Sequence, residues 1–84
     1  MKSIEFGGPA DYRIVVKGRL AETTVERLGD MKIASVEGEG RETVTTLVGP
    51  VRDQAALSGI LNSLYGLHLS VLTAEVQKKE ENVQ

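Results

Sequence analysis

The 84-residue chain contains no cysteine, a single histidine and three aromatic residues. Without cysteine, disulfide frameworks, thiolate nucleophiles, zinc knuckles and cysteine-ligated iron–sulfur clusters are excluded. The aromatic residues are too few for the stacking platform with which RNA-recognition modules hold bases. We therefore predict no cofactor, no metal site and no nucleic-acid-binding module.

The chain also lacks a strong charge imbalance and long apolar runs. Its net charge of −2 is too small to indicate a nucleic-acid binder. No stretch approaches the ~18 apolar residues of a membrane span, and the start of the chain carries Glu5 but no signal-peptide core. These features predict a cytoplasmic protein without membrane contact.

The length supports one domain with a thin core. The breaker cluster Gly7-Gly8-Pro9 predicts that residues 1–10 form a loose lead. The polar sequence QKKEENVQ predicts a disordered tail over residues 77–84. A single α+β domain is therefore expected over residues 11–76.

The first half of this domain predicts a strand followed by a short helix. Residues 11–20 alternate, with Tyr12, Ile14, Val16 and Gly18 on one face. Residues 22–28 favour a helix, because Thr23 and Glu26 have capping-box spacing and Gly29 is placed to end it.

The second half predicts a hairpin, a long helix and a final strand. Residues 32–37 and 41–48 form the hairpin, whose glycine-rich link supplies positive φ angles and whose second strand ends at Gly49-Pro50. Residues 54–65 form the helix, with Asp53 as N-cap and Gly66 at the C-terminal cap. Gly59, inside this helix, indicates close approach of another element. Residues 69–76 return as an alternating strand, with Leu69, Val71 and Thr73 on one face and Leu72, Ala74 and Val76 on the other.

The resulting order is β-α-β-β-α-β, which is typical of the ferredoxin-like fold. It predicts a two-layer sandwich in which both helices cover one face of a four-stranded antiparallel sheet. The first and third strands would be central. The opposite face of the sheet would then lack a covering layer.

No residue pattern predicts catalysis. His68 has no histidine or cysteine companion for a metal site, and no serine lies in a nucleophile turn. Glu37, Glu39 and Glu42 flank a solvated turn. Gly38-Glu39-Gly40 is better explained by that turn than by a phosphate loop, because its acidic neighbours would repel an anion.

Two places are candidates for binding an acidic or anionic partner, each with a plainer interpretation beside it. Arg13, Lys17 and Arg19 share the second face of the first strand with Val15, so three cations would surround an apolar spot. The alternative interpretation is a solvated face whose charges meet nearby glutamates. Arg52 precedes the long helix, where free N–H groups hold anions, although Asp53 as cap would occupy those donors.

The segments YRIVVKGRL (residues 12–20), LVGPVRDQAALSGIL (residues 47–61) and LHLSVL (residues 67–72) resemble a group of short prokaryotic conserved hypothetical proteins. Their shared core is GPVxDQAALxGxL. The resemblance covers about residues 11–76 and implies the fold, but it implies no activity.

Two function classes follow as hypotheses. The first is a non-enzymatic interaction or regulatory module that binds a protein partner, or itself, through the open sheet face or the edge strand of the hairpin. The second is an ACT-like sensor that holds a small anionic ligand at a subunit interface, near Arg13, Lys17, Arg19 or Arg52.

Overall fold

The computed structural model describes residues 9–77 of the chain. Within them the elements are β1 (Ala10–Lys17), α1 (Glu22–Val25), β2 (Lys32–Glu37), a 3₁₀ turn (Gly40–Glu42), β3 (Val44–Val51), α2 (Gln54–Gly66) and β4 (Ser70–Val76).

The four strands form one sheet in the order β2-β3-β1-β4, and every neighbouring pair is antiparallel. β1 and β3 occupy the two central positions, and β2 and β4 are the edges. The predicted α+β class, with a four-stranded antiparallel sheet and two helices, is confirmed.

The core lies on one face of this sheet. Tyr12, Ile14 and Val16 project from β1 into it, as their period-two spacing predicts. Side chains of both helices belong to the same cluster, so both helices lie on this face. The remaining buried apolar members are Leu20, Val25, Leu28, Met31, Leu47, Val51, Ile60 and Leu64.

β1 is shorter than the alternating pattern predicts. The strand ends at Lys17, and Gly18 turns the chain with φ +113°, a conformation that favours glycine. The Gly18 N–H donates to the carbonyl of Thr43 (2.7 Å) and its own carbonyl accepts from the Thr45 hydroxyl (2.6 Å). Arg19 consequently lies outside the strand.

The first helix is also shorter than predicted, because α1 has only four residues. The capping-box prediction is wrong: Ala21 is the N-cap and contributes no side-chain hydrogen bond. Irregular turns continue to Gly29, whose φ of +74° reverses the chain. A run of two threonines has low helix propensity, which is consistent with this short helix.

The hairpin link has the predicted positive φ angles, since Gly38 and Gly40 have φ of +91° and +56°. The predicted strand start at residue 41 is wrong, because a 3₁₀ turn occupies Gly40–Glu42 and β3 begins at Val44. The predicted strand end at Gly49-Pro50 is wrong, because β3 continues through both residues to Val51. β2 pairs with β3 only as far as Val48. Beyond that point β3 has no ladder partner on the β2 side, so proline's missing N–H is tolerated there.

The long helix α2 begins as predicted and ends differently. The Asp53 carboxylate accepts a hydrogen bond from the Ala56 N–H at 2.8 Å, which confirms the cap. Gly66 is still helical and Leu67 is the C-cap. The positive φ that was expected of a glycine falls on His68, at +63°.

Both edge strands contain an irregularity that breaks simple alternation. In β4, Thr73 faces Val15 and Val71 faces Val16, so Leu72 has no partner in the ladder. In β2, the register shifts between Ile33 and Ser35. The predicted alternation of the last strand is therefore wrong, because a bulge moves Val71 to the side of Ala74 and Val76.

Two glycines have roles opposite to those that the sequence indicates. A Cβ on Gly59 would meet nothing within 4 Å, so the predicted close approach in α2 is wrong. A Cβ on Gly49 would lie 2.7 Å from the Asp30 carbonyl oxygen and 2.8 Å from Met31 Cα. The chain entering β2 therefore crosses directly over Gly49.

Both ends of the described segment are held by the sheet, one as part of a strand and the other through a backbone hydrogen bond. β1 starts at Ala10, and the Gln77 N–H donates to the Asp11 carbonyl at 2.7 Å. The rest of the predicted lead and tail, residues 1–8 and 78–84, lies outside the described residues.

These contacts predict opposite effects for two glycine-to-alanine substitutions. Gly49→Ala should lower the free energy of unfolding by about 1–3 kcal/mol, because backbone atoms must move to admit the methyl group. Gly59→Ala should raise it by roughly 0.5–1 kcal/mol through helix propensity. Urea unfolding measures both, and a neutral Gly49→Ala would contradict the crowding described here.

The cap predicts that Asp53→Ala lowers the free energy of unfolding by about 1 kcal/mol, because the Ala56 N–H loses its acceptor. Asp53→Asn is the matched control, since its side-chain oxygen still accepts that bond. Thermal unfolding compares the two variants, and equal losses would show that the carboxylate charge, rather than the hydrogen bond, stabilises the helix.

Candidate functional site

The sheet face opposite the helices, which we call the open face, is built from alternate residues of all four strands. The register aligns them in three cross-strand rows. The rows are Lys32–Val48–Arg13–Glu75, Ser35–Thr46–Val15–Thr73 and Glu37–Val44–Lys17–Ser70.

The open face carries charges of both signs. Arg13 and Lys17 stand along central β1, Asp11 stands at the start of the same strand, and the edge strands carry Lys32 and Glu37 on β2 and Glu75 on β4. Glu75 lies directly across from Arg13. The middle of the face is therefore cationic, and its acidic groups lie at the rim.

The centre of the open face combines three valines with hydroxyl side chains and is only partly covered. Val15, Val44 and Val48 are half-buried, and Thr46 is buried among its neighbours. Arg13 and Lys17 are exposed. The three valines therefore form a small patch that is flanked by the long, exposed side chains of Arg13 and Lys17.

The predicted binding residues divide into separate places. Arg13, Val15 and Lys17 share the open face, as their spacing predicts. Arg19 does not extend this row, because Gly18 turns the chain after Lys17. Arg52 lies on the helix side of the sheet, between β3 and α2.

Arg52 contributes to a cleft of about 360 Å³ between the turn after α1, the end of β3 and α2. Arg27, Asp30, Gly59 and Ser63 also line it. Sequence reasoning missed Arg27, because nothing local relates it to an arginine 25 positions later (52 minus 27). In α2, the sequence signal near this cleft is Gly59, whose missing side chain leaves space there.

The described residues offer no assembled catalytic or metal-binding group. His68 is exposed at the turn between α2 and β4, and the acidic residues of the hairpin link are exposed as well. Across residues 9–77, no three His, Asp or Glu side chains are grouped so as to hold a metal ion. In the same range, no helix has the length and apolar character needed to cross a membrane.

No curated protein and no solved structure matches the chain. One family model, described as a domain of unknown function (DUF8691), matches residues 11–75, which run from the start of β1 almost to the end of β4. The chain therefore belongs to the DUF8691 family.

Proposed function

We propose that this domain is a non-enzymatic interaction module that docks a protein partner on its open face. The supporting observation is the half-buried valine patch flanked by the exposed side chains of Arg13 and Lys17. A partly exposed apolar centre with a charged surround is the usual anatomy of a protein interface.

The same proposal includes a ferredoxin-like fold. The β-α-β-β-α-β order and the sheet order β2-β3-β1-β4 support it.

We also propose that GPVxDQAALxGxL, over residues 49–61, marks a group of short prokaryotic proteins. That segment forms the end of β3, the cap and the first turns of α2. The cytoplasmic location stays a prediction.

The chemistry of the open face indicates the kind of partner. Arg13 and Lys17 lie on the same side of β1, two positions on either side of Val15, so they are about 13 Å apart along the strand. A partner that presents carboxylates around an apolar side chain would match this spacing. Arginine in particular binds carboxylates through two parallel hydrogen bonds.

Arg13 and Lys17 lie on a central strand, which favours a binding surface over an ordinary solvated face. Backbone groups of β1 are held on both sides by β3 and β4, so the two cations project from a rigid base. A preformed surface loses less conformational entropy on binding than a loop would. The rim acids Glu37 and Glu75 would repel partners whose carboxylates are in the wrong register.

Charge reversal on the open face tests this function. The double variant Arg13→Glu/Lys17→Glu should weaken binding of a partner isolated with the wild-type chain by at least about tenfold, or roughly 1.4 kcal/mol. Cross-linking followed by mass spectrometry identifies the partner, and titration calorimetry measures its affinity.

The matched control is Arg27→Glu/Arg52→Glu, which makes the same change in charge on the helix side. It should leave the partner's affinity unchanged. If the control weakens binding as much as the open-face variant does, or if the open-face variant binds normally, the docking surface proposed here is wrong.

The cleft favours a second candidate function, the ACT-like sensor of a small anionic ligand. Arg27 and Arg52 line the same cleft although they come from different connections in the chain. Two guanidinium groups suit a carboxylate or phosphate, whereas Asp30 on the same lining would favour a ligand that also carries a donor group. In this candidate the ligand would lie at a subunit interface.

A thermal-shift screen separates the two candidates. An anionic metabolite that binds the folded chain should raise its melting temperature by mass action, by an amount that grows with ligand concentration. The shift should vanish in Arg27→Ala/Arg52→Ala and persist in Arg13→Ala/Lys17→Ala. A panel of carboxylates and phosphates that produces no shift would exclude the sensor for those ligands.

A further inference from the structure

One continuous stretch of the chain carries the large apolar side chains that the fold leaves exposed. Within residues 9–77 these are Tyr65, Leu67, Leu72 and Val76, with 58, 48, 50 and 43% of their surface exposed. The first two end α2 and the last two belong to β4. Their concentration at one side of the molecule contrasts with single exposed apolar residues, which are ordinary on protein surfaces.

β4 is also an open edge of the sheet. Among the described strands it pairs only with β1, so its outer N–H and C=O groups have no strand partner there. Apart from Val71, every residue of β4 is exposed. An apolar edge strand of this kind is a template for pairing with another strand.

The other edge, β2, carries features that discourage pairing. It begins with Lys32 and ends with Glu37, and its register shifts at Ala34. Charged residues and bulges protect edges in this way. β4 has a bulge near its start, but its only charge is Glu75, which lies across from Arg13 of the same chain. The two edges therefore differ in how readily they would add a strand.

The end of α2 extends the same apolar side into the helix layer. Tyr65 lies four residues after Leu61, so both occupy the same flank of the helix. Gly59 and Ser63 line the cleft toward α1 and lie on the opposite flank. The exposed ring of Tyr65 is consequently on the side of α2 that faces away from α1, where β4 forms the edge below.

We infer that two copies of this chain associate through their β4 edges, in an antiparallel pairing about a two-fold axis perpendicular to the sheet. Such an interface is self-complementary, because each strand offers the same row of donors and acceptors to the other. This inference goes beyond the proposed docking function, since it uses a different surface.

Antiparallel pairing also places the apolar residues together. Tyr65 and Leu67 lie where β4 begins, and pairing brings that end of one copy beside the end of β4 in the other, which carries Val76. If the axis passes near Thr73 or Ala74, the two Glu75 side chains are offset along the strands and do not face each other. The apolar side chains are thus buried without opposing like charges.

The same symmetry has a consequence for the open face. A two-fold axis perpendicular to the sheet leaves the open faces of both copies on the same side, and both helix layers on the other. The pair would form one eight-stranded sheet (4 + 4 strands), with two valine patches on a continuous surface. A partner with two acidic segments would then bind with avidity.

Sedimentation equilibrium of the full chain over a range of protein concentrations tests the inference. The wild-type chain should reach the mass of two chains, and Leu72→Lys should shift it to the mass of one chain at the same concentrations. Ala34→Lys is the matched control, because it adds the same charge at the bulge of the β2 edge. It should retain the mass of two chains.

Amide hydrogen exchange provides a second measurement that does not depend on a variant. Outward-facing N–H groups of β4 should be protected at high concentration of the wild-type chain and should lose that protection on dilution, while those of β2 remain unchanged. If Leu72→Lys fails to fold, Val76→Lys replaces it. A single-chain mass for the wild type at every concentration, or equal effects of Leu72→Lys and Ala34→Lys, would overturn the inference.

Discussion

Burial of one face of β1 is the interaction on which the rest of the domain depends. Tyr12, Ile14 and Val16 contribute three of the core's members from a single strand, and β1 is hydrogen-bonded on both sides. Because side chains alternate along a strand, burial of this row forces Arg13, Val15 and Lys17 onto the opposite face. The open face is therefore a direct geometric consequence of the core.

A core this thin requires close approach of the backbone at a few points. The chain entering β2 passes over Gly49, and the turn at Gly18 accepts a hydrogen bond from Thr45, a fully buried residue. Each contact joins a connection to a central strand. These two contacts fix short, irregular connections, such as the one between α1 and β2, although no long helix packs over that connection.

Three surfaces of the domain differ in chemistry, so each suits a different kind of interaction. The open face combines valines with central cations, the cleft beside α2 combines two arginines with an aspartate, and the β4 edge is largely apolar. Docking of an acidic partner, capture of an anion and self-association would therefore use different residues. Docking on the open face and association through β4 are compatible, because they use different residues. The sensor candidate would need a second subunit interface at the cleft, which lies on the flank of α2 away from β4.

Local patterns in the sequence were sufficient for the α+β class, for β1 and β2, for the start of α2 and its Asp53 cap, and for the shared placement of Arg13, Val15 and Lys17. Period-two alternation and capping depend on near neighbours, so one sequence contains the required information. Tertiary structure alone decided the bulges in β2 and β4, the passage of β3 through Pro50, the crowding at Gly49 and the placement of Arg27 and Arg52 on one cleft. Those features depend on which segment lies beside which, and residues far apart in the chain carry no local signal of their contact.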